Sequence, residues 1–332
     1  MTSNKIGGGR NDSVDILKFF AVILITNSHM ATLYPAPFTQ LATGGAIGDA
    51  LFFFCSGFTI SFSRGGSFFN WYKRRINRIF PALFAIAGLS IIIFGADPTI
   101  KHTVISSGGW FVQCIFVFYA IFWFVKKYVM DKLWVAYLIN GIIVIIWYLI
   151  FWDYDIFILY NGTYLRWPIY FFSMLLGASV ALHERKSETK REYKLGNLLI
   201  VMALLLLFYY GYQLLAIKIP MLNYFQLILA PVLFAIVYCF YLICNTKVIA
   251  KIYDIRNIHH LVYWISAICL EVYLCQGWLF PIGRSLINYF PLNVILTFLL
   301  IFLTAYAVKV ISNFLSQTFK TEDYDWHGMI KL

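Results

Sequence analysis

The chain has 332 residues, of which 61% are hydrophobic and 12% are charged, about half the charge content of an ordinary soluble domain. So little polar surface cannot cover a water-soluble globule, so the expected fold class is all-α, a polytopic membrane helix bundle. The formal net charge of +11 would point to nucleic acid or anionic lipid if it were one patch, but its distribution follows membrane topology.

A membrane-spanning helix takes about 20 predominantly apolar residues. About ten such runs are legible, at 16–33, 45–63, 75–95, 110–125, 133–151, 165–182, 195–215, 225–244, 258–281 and 292–315. No internal repeat or low-complexity linker interrupts them, so residues 1–332 are expected to form a single membrane-embedded domain. The first run follows a polar stretch and lacks a small-residue cleavage site, so we expect a retained helix and not a cleaved leader. Lys18 and His29 lie eleven positions apart on it, almost three helical turns, which puts them on one face about 16 Å apart. Lys18 reads equally well as an interfacial lysine that snorkels. His29 stands beside Asn27 and Ser28, a polar patch in an apolar helix, and reads as a functional group or as a structural hydrogen-bonding histidine.

The second run, Gly48-Asp49-Ala50-Leu51-Phe52-Phe53-Phe54-Cys55-Ser56-Gly57-Phe58, carries Asp49 with Phe53 and Ser56 at helical spacing. Asp49 is a candidate site residue or a favourable helix N-terminal charge. Ser56-Gly57 also allows close helix packing. The third run opens with Tyr72-Lys73-Arg74-Arg75-Ile76-Asn77-Arg78. A single arginine there is a positive-inside anchor, but four clustered cations, with Arg78 inside the apolar run, point to an anion site. Arginine stays charged and binds phosphate bidentately. The ninth run places Glu271 near mid-membrane, where a carboxylate must be paired, neutral or facing water. Either a structural ion pair or a catalytic role satisfies that. His102, His183, His259, His260 and His327 lie at expected loops or span ends and receive no role.

Cytoplasmic loops are enriched in Lys and Arg. With ten spans, the two termini and the even-numbered loops share one side, and that side holds 22 of the 26 basic residues. Lys101, Arg166, Lys218 and Arg284 fall on the other. Both termini are therefore expected in the cytoplasm, and the net charge needs no nucleic acid. The six cysteines (Cys55, Cys114, Cys239, Cys244, Cys269 and Cys275) lie in apolar runs without metal-site spacing and read as packing residues. No metal is expected.

Together these segments resemble the acyltransferase-3 family of membrane proteins, which acylate sugars and other hydroxyl acceptors. Asp15-Ile16-Leu17-Lys18 through His29 is similar to the family's first helix, where a basic residue, usually arginine, stands eleven positions before a histidine. Asp49 through Phe58 resembles its D-x-x-F-F-x-x-S-G-F second helix. Arg75-Ile76-Asn77-Arg78 followed by Pro81 matches its R-x-x-R-x-x-P third helix. Weaker echoes continue at Trp110 through Tyr119, Phe172 through Gly177 and Ser266 through Leu274. Two departures stand out: Lys18 lacks the planar fork of arginine, and Gln276 stands where many members have a histidine. The chain is expected to resemble the shorter members, without the extracytoplasmic hydrolase-like domain that some relatives carry.

The resemblance implies acetyl-CoA as acyl donor, a carbohydrate acceptor, and a bacterial inner (plasma) membrane location among membrane lipid. Arg74, Arg75 and Arg78 are then expected to hold the phosphates of the donor at the cytoplasmic edge, with Lys18 contacting it. His29, an imidazole with an ordinary pKa near 6.5, is the expected general base toward an acceptor hydroxyl from the far side. Asp49 or Glu271 would orient or charge-balance it. An acyl-enzyme on His29 or Ser56 is a further route. The competing class is a transporter or flippase of a glycan or lipid-linked sugar, for which broken helices in matching halves are a hallmark. No paired Gly/Pro interruptions are visible in the sequence. A membrane scaffold would leave the intramembrane charges unexplained.

Overall fold

The computed structural model describes residues 11–95, 109–154, 157–159, 163–187, 192–286, 289–318 and 322–330. The expectations at Lys101 and His102 lie outside them. Among the described residues there are thirteen α-helices and no strand: α1 (Asp12–Ser28), α2 (Gly45–Ser61), α3 (Phe68–Phe94), α4 (Gly109–Phe124), α5 (Leu133–Phe151), α6 (Arg166–Lys186), α7 (Leu195–Lys218), α8 (Leu229–Cys244), α9 (Lys247–Tyr253), α10 (Arg256–Ala267), α11 (Cys269–Leu286), α12 (Leu292–Thr318) and α13 (Trp326–Ile330). The chain is an all-α polytopic membrane bundle. In lipid every backbone N–H and C=O needs an internal partner, and a helix satisfies them within one segment.

Helix occupies each expected run, but the count of ten crossings is not reached by length and apolarity. Six helical stretches are long and apolar enough to cross a membrane, or seven if α10 and α11 are one bent span. α1 has only 17 residues. α4 and α5 join through helical turns over Val125–Val129 and Met130–Lys132 and form one stretch of 43 residues, Gly109–Phe151. α6 starts on Arg166 and closes on Glu184-Arg185-Lys186, leaving a short apolar middle. The expected ninth span is broken at Ile268, where α10 and α11 bend by 75°.

The chain divides into two compact units. The first comprises 1–21, 46–63 and 125–263; the second comprises 22–45, 64–124 and 264–332. Within the first, α7 packs on α8, α5 on α6, and α6 on α8. Glycine sets the approach of α2 to α6. A Cβ at Gly57 would lie 1.8 Å from the Met174 carbonyl oxygen, and one at Gly177 would lie 2.0 Å from that of Phe54. The two backbones therefore touch, as small residues permit in membranes. Much of this unit's outer surface is apolar: Leu149 and Leu207 are 68% and 70% exposed, which suits a face turned to lipid.

Within the second unit α11 lies along α12, α3 packs on both, and α4 packs on α3. α3 begins seven residues before the expected start at residue 75, after Ser67, and ends at Gly95, whose left-handed φ of 61° closes it. Arg74, Arg75 and Arg78 thus lie within its first turns and not ahead of it. A short helical turn, Ala31–Leu33, leans on α11, and Asn293 Nδ2 of α12 donates to the Leu33 carbonyl at 2.7 Å.

Candidate functional site

In the second unit, α1 stops at Ser28 because the following backbone turns. His29 N–H reaches the Thr26 carbonyl at 3.2 Å and Met30 N–H that of Asn27 at 3.0 Å. The polar patch of the sequence separates into distinct roles here. Asn27 Nδ2 donates to the carbonyls of Leu41 and Thr43 at 2.7 and 3.1 Å, and its Oδ1 accepts from the Tyr34 hydroxyl at 2.6 Å. Asn27 therefore fastens the connection to α2. Ser28 Oγ donates to its own helix, at the Ile25 carbonyl. His29 is exposed and stacks near Phe280 of α11, with ring centroids 6.3 Å apart. No hydrogen-bond partner meets its imidazole among the described residues, so both ring nitrogens are available to a ligand.

The α3 arginines divide in the same way. Arg74 is exposed, and its Nη2 donates to the carbonyls of Arg64 and Gly65, each at 3.0 Å, tying the Gly-Gly turn to the helix. Arg75 is half-buried, with its guanidinium carbon 5.2 Å from the centre of the buried Trp71 ring. Such a cation over an indole face is favourable by about 0.5–2 kcal/mol. Arg78, three residues on, is exposed. Arg75 faces Arg74 and Arg78, and no carboxylate is among the groups that act on it. Tyr119 of α4 also acts on Arg75, and no carboxylate pairs with these arginines among the described residues.

Glu271, in the first turn of α11, is 2% exposed and pairs through Oε1 with Lys309 Nζ of α12 at 3.1 Å. Its Oε2 is buried without a partner among the described residues. Of the two readings open for Glu271, the ion pair is present, and one oxygen remains free to accept. The break at Ile268 puts Glu271 at a helix N-terminus, where the backbone N–H groups favour negative charge. Gln276, on the same helix, is buried with an unpartnered Oε1.

In the first unit, Lys18 is half-buried on α1. Asp49 of α2 accepts a hydrogen bond from the Tyr170 hydroxyl and faces the Arg166 guanidinium, both on α6. Arg166 and Tyr170 are 6% and 1% exposed. The close α2–α6 approach at Gly57 and Gly177 explains how a carboxylate and a guanidinium 117 positions apart meet. Lys18 and Asp49 belong to the first unit, whereas His29, Glu271 and the three arginines belong to the second.

Sequence reasoning missed three residues of these clusters. Arg166 read as one of four far-side cations, and Tyr170 drew no reading. Lys309 read as a C-terminal basic residue, although it lies inside the apolar run 292–315, and a cation there needs a counter-charge.

A family model described as an acyltransferase domain matches residues 11–313. The chain belongs to the acyltransferase-3 family. No curated protein and no solved structure matches it. As a membrane acyltransferase of this family, the chain offers an open imidazole, a basic helix start without a counter-ion, and two carboxylates each matched to a cation. General-base work requires the first, and binding an anionic substrate requires the second. The balanced carboxylates keep the interior near neutral, as insertion into lipid demands. The matched span contains every candidate site residue, from Lys18 to Lys309.

Proposed function

We propose that this membrane acyltransferase is an O-acetyltransferase that moves an acetyl group from cytoplasmic acetyl-CoA to a hydroxyl of a cell-surface carbohydrate. The observation that carries the reading is the basic start of α3. Arg75 and Arg78 lie one turn apart, and Arg75 faces like charge without a carboxylate. A half-buried guanidinium in that setting calls for an anion, and the phosphates of coenzyme A supply one. Arg74 adds charge while holding the turn before the helix. The excess of basic residues expected on this side supports a donor site at the cytoplasmic face.

His29 acts as the general base. Its neutral imidazole takes the proton of the acceptor hydroxyl as that oxygen attacks the thioester carbonyl. The tetrahedral intermediate collapses with loss of the coenzyme A thiolate, and the imidazolium returns its proton to that sulfur. Glu271 with Lys309 balances charge within the unit that carries His29. Carbohydrate and donor arrive from opposite sides, which gives a reason for the enzyme to be built in a membrane, in the bacterial inner membrane on this reading.

The test is acetyl-CoA turnover by the purified protein in detergent, with His29→Ala beside it. Release of free coenzyme A by wild type and not by a folded variant supports the reading. Equal turnover by the variant removes the base assignment. If neither folded protein turns over or binds coenzyme A, the donor assignment falls.

A further inference from the structure

The start of α3 holds two donors that the protein itself leaves unsatisfied. Trp71 is fully buried, and its indole Nε1–H meets no acceptor among the described residues. One turn on, the Nε–H of half-buried Arg75 is also without an acceptor. With the guanidinium carbon 5.2 Å from the Trp71 ring centre, both N–H groups belong to one small neighbourhood. Tyr119 of α4 closes it from the side, its ring edge-on to Trp71 with centroids 6.4 Å apart.

Buried N–H groups are nearly always paired, and one left without an acceptor is destabilising until something supplies it. Two adjacent ones in a region of uncompensated positive charge narrow what that acceptor is. A neutral carbonyl, with two lone pairs, could accept from both donors but would leave the charge unmet. A phosphoryl group offers several oxygens and negative charge together.

We infer that the Trp71 Nε1–H and the Arg75 Nε–H form a two-donor seat for a phosphoryl oxygen of the acyl donor. The inference rests on the donor-side reading above, and it adds a neutral residue that no charge pattern would select. Arg75 supplies charge and Trp71 supplies direction, because an indole N–H is a single fixed donor. The same phosphoryl chemistry occurs on an anionic lipid headgroup, so the test separates the two sources.

Calorimetric titration of the full chain in phosphatidylcholine nanodiscs, with coenzyme A and separately with short-chain phosphatidylglycerol, reads the seat. Trp71→Phe keeps an aromatic ring and removes the N–H; Arg75→Lys keeps the charge and removes the Nε–H. Each is expected to weaken coenzyme A binding about tenfold. The double variant should weaken it by less than the product, because both donors act on one group. Melting temperature and size-exclusion profile confirm folding, and Arg75→Lys, at a half-buried position, keeps the test valid if Trp71→Phe misfolds. Wild-type binding of coenzyme A with undiminished binding by the folded variants overturns the seat while leaving the donor reading intact. Binding of phosphatidylglycerol alone, weakened by the variants, overturns the assignment to the acyl donor. Binding of neither ligand overturns both the seat and the donor reading.

Discussion

Arg166→Met exposes how the first unit holds its buried charge. Arg166 is 6% exposed and faces Asp49, which also accepts from Tyr170. Breaking a buried ion pair outright costs about 3–5 kcal/mol, and removing a guanidinium that acts on a carboxylate across two packed helices approaches that from below. Asp49 is only partly buried, so solvent recovers some of this, and we expect a loss near 3 kcal/mol. That is a factor of over a hundred in the folding equilibrium. Reversible unfolding in mixed detergent micelles, followed by circular dichroism, measures it. Asp49→Asn combined with Arg166→Met removes both charges and should recover most of the loss, returning to within about 1 kcal/mol of wild type. An Arg166→Met protein as stable as wild type, or a double variant no better than the single one, would refute the pairing.

Other outcomes follow from the same contacts. Lys309→Met leaves Glu271 buried and unpaired and should destabilise by about 3 kcal/mol, with Glu271→Gln/Lys309→Met restoring stability in the same assay. Gly57→Ala forces a Cβ against the Met174 carbonyl and should cost about 1–3 kcal/mol through overpacking, read as a lower melting temperature. Asn27→Ala releases the connection before α2 from three hydrogen bonds. Faster limited proteolysis between residues 34 and 43 would report it, and an unchanged cleavage rate would refute the clamp.

The helices were legible because their apolar runs are long, and the family was legible because three motifs stand in order near the N-terminus. What hydropathy hides is which face of a helix meets protein. α7 is apolar nearly all round, yet only Leu198, Met202 and Tyr209 among its 24 residues are buried. Lipid takes the remaining sides and erases the amphipathic stripe that reveals a core face in water. Partners far apart in sequence stay hidden for the same reason, as with Asp49 and Arg166. The break at Ile268 falls in Ile265-Ser266-Ala267-Ile268-Cys269, a stretch without glycine or proline, so no local signal announced it. Asn27 was visible as polar, but its task is set by carbonyls 14 and 16 residues away. The arginines were legible as a cluster, whereas Arg74's bond to the preceding turn depends on where α3 starts.

The bend at Ile268 also bears on parity. α10 has 12 residues and α11 has 18, so neither alone matches the roughly 20 residues of a full crossing, while the two together suffice. Taken as one passage, the pair changes sides once, and the basic residues before α10 stay on a common side with the C-terminal end of α12. Taken as an excursion that returns, it would leave Lys251 and that end of α12 on opposite sides, against the bias of the rest of the chain. A fractured passage thus does what a straight one does for topology, while setting Glu271 in the first turn of a new helix, where an unbroken span would hold it mid-helix.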